Sequence, residues 1–114
     1  MDFSNAFLTK MSNKRSGDPP FHLSPKAADD LRSINRYTGK IWGNKQRRLY
    51  IAKLKWRIEW LAENPRLGRP RPDIREGLVC FPEGEHVIFY RISGDFIEVL
   101  AILHSRMLPD DKLR

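Results

Sequence analysis

The chain has 114 residues, of which 40% are hydrophobic and 31% charged, and its 21 Lys or Arg against 14 Asp or Glu leave a formal net charge of +7. This length fits one domain, and the composition is that of a globular protein rather than a disordered chain. Membrane insertion and secretion are not expected, because no apolar run could span a bilayer and the first residues do not resemble a signal peptide. Cys80 is the single cysteine, which excludes an intramolecular disulfide and favours a reducing cytoplasm.

The positive charge is concentrated in the middle of the chain. Residues 1–25 sum to +1, residues 26–75 to +9 and residues 76–114 to −3. Such a segment attracts an anionic partner, although a solvated surface of ordinary basic helices has the same composition. Sequence-specific DNA binding is not expected, because the basic residues of the second predicted helix surround it rather than form one stripe.

The first predicted elements are a short strand and a helix. Phe21–Leu23 form the strand, and Ser24 and Pro25 then supply an N-cap and a first-turn proline. Helical spacing continues until Gly43 interrupts it, which predicts a helix end near Trp42. The apolar residues that follow this spacing are Ala28, Leu31, Ile34 and Ile41.

A second helix is predicted from Asn44 to about Glu63, with apolar residues in two arcs. The arc expected to face the core contains Tyr50, Leu54, Ile58 and Leu61. The other arc contains Leu49, Ala52, Trp56 and Trp60. We expect the preceding helix to cover the first two in an antiparallel helical hairpin. The two tryptophans suit a protein interface as well as they suit a core.

The next segment, residues 64–77, is NPRLGRPRPDIREG and contains three prolines, two glycines and four arginines. The residue before each proline is discouraged from helical geometry, so the segment is predicted to be a connecting loop. Three of its arginines can contact phosphate, an acidic protein or only solvent, and the sequence does not rank these alternatives. They are Arg69, Arg71 and Arg75.

Three antiparallel strands are predicted after the loop, at residues 78–81, 86–92 and 96–104. Gly94 and Asp95 suit a two-residue hairpin turn with glycine first. In that register the face expected to lie under the helices contains Ile88, Tyr90, Ile92, Ile97, Val99, Ala101 and Leu103. The partly open face contains Val87, Phe89, Arg91, Glu98, Leu100, Ile102 and His104.

Neither a metal nor a cofactor is expected, because the chain has no phosphate-binding glycine loop and its histidines lack a short metal-binding spacing. A phosphodiester-cleaving site without metal needs an acid or base and cations that stabilise the developing charge. His104 and Arg91, with an arginine of the loop, supply those residue types. Arg91 is equally suited to pair with Glu98 across the strands, and His104 to close the edge of a core.

Three segments together resemble the ParE branch of the ParE/RelE toxin superfamily, the toxic halves of type II toxin-antitoxin modules. They are FHLSPKAADDL, ENPRLGRPRPDIREGL and HVIFYRISGDFIEVLAILHSRM. The resemblance covers about residues 21–107, leaving residues 1–20 as an irregular N-terminal extension and residues 108–114 as a C-terminal tail. Its specific features are the Ser24-Pro25 helix entry, the Asn64-Pro65 to Gly68-Arg69-Pro70 connection, the Phe89-Tyr90-Arg91 strand and the terminal His104.

The resemblance implies an α+β fold, in which a short N-terminal strand and an antiparallel helical hairpin pack against a three-stranded antiparallel meander. It also implies a ParD-like antitoxin, a toxin-antitoxin hetero-oligomer, and DNA gyrase as the target, with growth inhibition and plasmid stabilisation as the outcome. The residues expected to contact antitoxin or target are Trp56, Trp60, Arg69, Arg71, Arg75, Phe89, Arg91 and His104.

Two other functions remain open. A RelE-type ribosome-dependent mRNA endoribonuclease would use His104 as acid or base and Arg91 and Arg75 as phosphate stabilisers. A relic that binds antitoxin without toxicity is the third hypothesis. We favour a gyrase inhibitor that is not an enzyme, because the motif series resembles ParE and the catalytic constellation is incomplete. In particular, no aromatic residue follows His104 in the remaining SRMLPDDKLR.

Overall fold

A computed structural model describes residues 21–107, so the expected N-terminal extension and C-terminal tail lie outside the described residues. The fold is α+β, as predicted, with one long helix and a five-stranded sheet within these residues. The elements are β1 (Phe21–Leu23), α1 (Pro25–Glu63), β2 (Arg69–Pro70), β3 (Val79–Glu83), β4 (His86–Ser93) and β5 (Phe96–His104), with 3₁₀ turns at Pro65–Leu67 and Ser105–Met107.

The sheet is larger than the predicted three-stranded antiparallel meander. Its strand order is β1-β5-β4-β3-β2. The central strands β3, β4 and β5 pair antiparallel, as predicted, but β1 runs parallel to β5 and β2 pairs antiparallel with β3. The parallel pair is possible because α1 provides the long crossover that two parallel strands require. The segment predicted to be only a loop supplies β2.

The two predicted helices form one helical element with a sharp bend at Gly43. The Ser24 side chain caps its start by accepting a hydrogen bond from the Ala27 N–H at 3.0 Å. Gly43 has φ 89°, a conformation that glycine adopts without steric cost. Beyond the bend, Arg47 Nη1 donates to Asn35 Oδ1 at 3.0 Å, although a straight helix would separate these residues by about 18 Å. This contact joins the two arms of α1 at the bend, and α1 is a single bent helix rather than the predicted antiparallel hairpin of two helices.

The core lies between α1 and one face of the sheet. The predicted core arc of the second arm is confirmed for Leu54, Ile58 and Leu61, which are fully buried, and Tyr50 is half-buried. Three residues expected to be covered are exposed instead, because both arms of α1 turn their apolar side toward the sheet. These are Ile41, Leu49 and Ala52.

The hairpin between β4 and β5 begins in the predicted register. Gly94, with φ 63°, opens the turn, and Arg91 pairs with Glu98. The pairing then slips by one residue between Phe89 and Tyr90, which leaves Leu100 as the extra residue of a β-bulge.

The bulge exchanges the two faces of β5 beyond Leu100, because side chains alternate along a strand. Ile102 consequently lies in the core under α1, whereas Ala101 and Leu103 pack on the opposite face. His104 turns toward α1. The predicted faces of residues 101–104 were therefore wrong by one register step.

The first turns of α1 hold this bulge in place. Ser24 Oγ donates to the carbonyl oxygen of Leu100 at 2.9 Å, and the Ser24 N–H donates to the Val99 carbonyl at 2.9 Å. Asp30 Oδ2 accepts a hydrogen bond from the Ile102 N–H at 2.9 Å. Backbone groups of β5 on both sides of the bulge are thus paired with Ser24 and α1, in agreement with the rule that buried polar groups have partners.

The connection between α1 and the sheet is held against Tyr90. The Tyr90 hydroxyl donates to the Pro65 carbonyl oxygen at 2.7 Å, and the Tyr90 side chain is fully buried. A methyl group added at Gly68 would collide with the Tyr90 hydroxyl and with Val79. Pro65, Gly68 and Tyr90 are therefore packing residues, although all three belong to the segments that carry the family resemblance.

Candidate functional site

The first candidate surface, called the sheet groove, lies on the sheet face opposite α1. It is an apolar depression of about 260 Å³, in which Lys26 and Arg75 are the basic residues. Its apolar lining is Ile74, Leu78, Phe89, Leu100, Ala101 and Leu103. Phe89, one of the expected contact residues, is buried in its floor. An apolar depression with adjacent cations can accept a partner segment that carries both apolar and acidic side chains.

Two of the expected arginines meet beside this groove. Arg75 and Arg91 line a second depression of about 260 Å³, together with Glu98. Arg91 Nε donates to Glu98 Oε1 at 2.8 Å, so the expected cross-strand pair is present. The Arg91 side chain is nevertheless 57% exposed, which leaves it accessible to an anionic partner.

The other two expected arginines lie near the β2 edge. Arg71 makes a bidentate pair with Asp73, through Nε at 3.1 Å and Nη2 at 3.0 Å, and its N–H donates to the Leu78 carbonyl at 2.7 Å. Arg71 therefore closes the loop, while Arg69 is exposed opposite Cys80. Burial raises the pKa of the Cys80 thiol, and the charges of Arg71 and Arg69 oppose that shift.

The second candidate surface, called the Trp stripe, consists of Leu49, Ala52, Trp56 and Trp60 on the outer side of α1. Trp56 is 55% exposed and stacks on the half-buried Trp60, with ring centroids 6.5 Å apart. The guanidinium carbon of Arg57 lies 4.7 Å from the Trp60 ring centroid, and its Nε donates to Glu83 Oε1 at 2.8 Å. This cation-π contact and ion pair fix the rings in place, so the stripe is a preorganised aromatic surface.

The third surface, called the bend cleft, lies beside Gly43 and was not predicted from the sequence. Its volume is about 520 Å³, and Tyr37, Trp42, His86 and His104 are among its lining residues. His104 is here, rather than on the open face, because of the bulge. The one sequence signal for the cleft is a spacing of four residues that continues across the bend, at Thr38, Trp42, Gln46 and Tyr50.

A hydrogen-bonded network orders the polar side of the bend cleft. The Tyr50 hydroxyl lies 2.6 Å from His86 Nδ1, and His104 Nε2 lies 3.2 Å from Glu85 Oε1. The Arg106 N–H donates to His104 Nδ1 at 3.0 Å, which places the proton of neutral His104 on Nε2. Burial, with a smaller contribution from the nearby His104, lowers the pKa of His86, and burial raises the pKa of Tyr50.

The residues suggested for ribonuclease chemistry are not brought together. Arg75 and Arg91 share a depression on the open face of the sheet, whereas His104 faces α1. Along β5, His104 is six residues beyond Glu98, the partner of Arg91, which corresponds to about 20 Å. A general acid or base must lie within hydrogen-bond reach of the reacting group that the cations also contact. His104 and Arg91 do not meet that condition in this arrangement.

Two further features of residues 21–107 concern metals and membranes. Their His, Cys, Asp and Glu side chains form no group of three or more that could hold a metal ion. In the same range, no helix has both the length and the apolar character needed to cross a bilayer.

Comparison with known proteins identifies the class. Residues 21–109 match the family model described as ParE toxin of type II toxin-antitoxin system, parDE. A Caulobacter vibrioides protein named Toxin ParE1 is 38% identical over 88 residues, which cover 77% of this chain and 91% of that protein. A Mycobacterium tuberculosis protein, also named Toxin ParE1, is 39% identical over 92 residues, which cover 80% of this chain and 94% of that protein.

The fold agrees with these matches. A solved structure titled "Chromosomal ParDE TA system from P. aeruginosa" superposes with a TM-score of 0.64 at 20% sequence identity, covering 74% of this chain and 92% of that one. The chain is thus of the class of toxins found in type II toxin-antitoxin systems. Within that class it belongs to the ParE toxin family, which confirms the resemblance seen in its sequence.

Proposed function

We propose that this chain acts in the cytoplasm as a toxin that inhibits DNA gyrase without being an enzyme, and that a ParD-like antitoxin neutralises it in a hetero-oligomeric complex. Membership of the ParE family supports the toxin role. The observation that supports a binding mechanism over catalysis is the position of His104, on the opposite side of the sheet from Arg75 and Arg91. The gyrase target rests on the resemblance of the sequence segments to ParE.

We assign antitoxin binding to the sheet groove and the Trp stripe. The groove combines an apolar floor with Lys26 and Arg75, and Arg91 lies in the adjoining depression. An acidic segment with apolar anchors would bury its apolar side chains there and place its carboxylates beside these cations. Lys26 and Arg75 belong to residues 26–75, so an acidic partner accounts for part of the net charge of +9 of that segment.

The target is tested with purified gyrase and relaxed plasmid DNA. We expect the chain to stop ATP-dependent supercoiling, and equimolar antitoxin to restore it. A parallel translation reaction with ribosomes tests for mRNA cleavage. Normal supercoiling at a large excess of the chain would overturn the gyrase proposal. Translation-dependent cleavage that His104→Ala abolishes would establish the ribonuclease instead.

If the chain is inactive in both the supercoiling and the translation assay, a growth experiment tests its toxicity directly. The chain is expressed without its antitoxin in a sensitive host, and growth is measured. Unimpaired growth, combined with retained antitoxin binding by the purified chain, is the result expected of a relic and would contradict the proposed toxicity.

Antitoxin binding is tested by calorimetric titration with the ParD-like protein encoded beside this chain. Replacing both Trp56 and Trp60 with Ala should weaken affinity about 30-fold, since interface aromatics contribute ~2 kcal/mol or more. Trp42→Ala is the matched control, because Trp42 is 64% exposed but lies outside the stripe and the groove. Affinity that stays within about twofold in the double variant would exclude the stripe from the interface.

The sheet groove is tested separately with Leu103→Glu. This change adds a carboxylate to a surface that we expect to receive acidic side chains, so repulsion should weaken binding about tenfold or more. Ile41→Glu, at an exposed position on α1, is the control. Equal affinities of the two variants would exclude the groove.

A further inference from the structure

The bend cleft is not used by the proposed function, yet it has the features of a binding site. Trp42 and Tyr37 are 64% and 60% exposed, although large aromatic side chains are costly to leave in water. Both line a cleft of about 520 Å³, within the ~300–1,000 Å³ typical of small-ligand sites.

The groups in this cleft suit a planar base attached to a phosphate. Exposed aromatic rings stack on nucleobases of any sequence. The Gln46 amide, which also lines the cleft, can both donate and accept hydrogen bonds at a base edge. Arg106 provides a cation on the same lining, and Lys40 and Lys45 are exposed on either side of the bend.

The carboxylate of Glu85 makes a nucleobase a better ligand for the bend cleft than an acidic peptide. Its side chain is 65% exposed at the cleft, with one carboxylate oxygen 3.2 Å from His104 Nε2. A carboxylate repels the side chains of an acidic peptide, but it accepts hydrogen bonds from the exocyclic amino group of cytosine. Thymine has no exocyclic amino group and offers only its ring N3–H as a donor, so we expect it to bind Glu85 less well than cytosine does.

We propose that the bend cleft binds an unstacked nucleobase of single-stranded nucleic acid, preferring bases with an exocyclic amino group. Trp42 and Tyr37 stack against the base, Glu85 accepts from its amino group, and Arg106 contacts the adjacent phosphate. Single-stranded DNA and RNA share this chemistry. The proposal is independent of the gyrase and antitoxin assignments and implies no sequence-specific reading of duplex DNA.

The experiment measures fluorescence anisotropy of labelled octamers of deoxycytidine, thymidine and cytidine with the full chain at about 100 mM salt, because such affinities depend on ionic strength. We expect deoxycytidine to bind more tightly than thymidine. The affinities of the deoxycytidine and cytidine octamers, compared with each other, show whether the cleft prefers single-stranded DNA or RNA.

Variants assign the binding to the cleft. Trp42→Ala should weaken deoxycytidine binding about tenfold, whereas Trp56→Ala, which removes a similarly exposed tryptophan on the Trp stripe, should change it by less than about twofold. Glu85→Gln should narrow the preference for deoxycytidine over thymidine, because the amide can donate to thymine O4. Thermal melting of Trp42→Ala, expected to match that of the unsubstituted chain, checks the fold.

Three results would overturn the proposal. The first is equal affinity for the deoxycytidine and thymidine octamers that Trp42→Ala does not change, which indicates only diffuse attraction to the basic surface. The second is equal weakening by Trp42→Ala and Trp56→Ala. The third is Trp42-dependent binding of a poly-glutamate peptide that displaces the octamers, which would make the cleft an acidic-peptide site.

Discussion

The two faces of the sheet differ in how they are packed. Against α1, one continuous cluster of 16 buried residues fills the interface, including the fully buried Leu54, Ile88 and Tyr90. On the opposite face, the cluster of buried residues among those described is limited to Leu78, Cys80 and Phe89, with half-buried neighbours. Stability therefore resides mainly on the α1 side, and the opposite face is left available to bind a partner.

Matched truncations on the two faces should give the largest contrast. Leu54→Ala, on the α1 side, should lower the free energy of unfolding by about 3 kcal/mol, because a cavity remains in a closely packed core. Leu103→Ala, in the sheet groove, should lower it by less than about 1 kcal/mol, because the site is half-exposed. Urea denaturation measures both values. Equal losses would show that the two faces contribute alike.

Gly68→Ala is expected to have the next largest effect. The added methyl group meets the Tyr90 hydroxyl and Val79, and overpacking of this kind costs about 2 kcal/mol. Leu67→Ala, at the neighbouring 59% exposed position, should cost less than about 0.5 kcal/mol. Denaturation midpoints that fall equally in the two variants would contradict the importance of close packing on Tyr90.

Asp30→Ala should destabilise the chain by about 1 kcal/mol, because the Ile102 N–H loses its acceptor beside the bulge. Asp29→Ala is the control, since the Asp29 side chain is 71% exposed and should contribute less than about 0.5 kcal/mol. Hydrogen exchange of the Ile102 amide, faster in the Asp30 variant alone, would locate the effect at the bulge. Unchanged exchange in both variants would show that Asp30 does not hold it.

The smallest expected effect is the pH dependence contributed by His86. Burial is the main cause that lowers the pKa of His86 below the ordinary histidine value of 6.5, so the unfolded chain takes up this proton more readily than the folded chain. Stability should therefore fall as the pH drops below about 6.5, and level off once the pH is below the pKa of folded His86. Denaturation curves of the unsubstituted chain and of His86→Gln should diverge over this range. Parallel curves would contradict a contribution of His86 to the pH dependence of stability.

Several elements could be predicted from short stretches of the sequence. The helix entry at Ser24, the break at Gly43 and the turn at Gly94 each depend on local backbone preference, and each is present. The pairing of β1 with β5 was missed, because a three-residue strand carries no information about its partner.

The bulge could not be read from the alternation of side chains. Residues 99–103 are all apolar, so both faces of β5 are apolar there and a one-residue slip at Leu100 leaves the pattern almost unchanged. The polar contacts that fix the slip come from Ser24 and Asp30, more than 70 residues earlier in the chain. For the same reason the sequence did not reveal that His104 joins His86, Tyr37 and the bend.

The close contact between Gly68 and Tyr90 stabilises the fold, whereas partner binding depends on other, exposed side chains. Both residues contribute to packing, because the fully buried Tyr90 occupies the space that a side chain at position 68 would need. The exposed side chains of Trp56 and Arg91 are under no such requirement. Substitutions at exposed positions such as these can therefore change what the surface binds, while the packing of Gly68 against Tyr90 and the fold that depends on it stay the same.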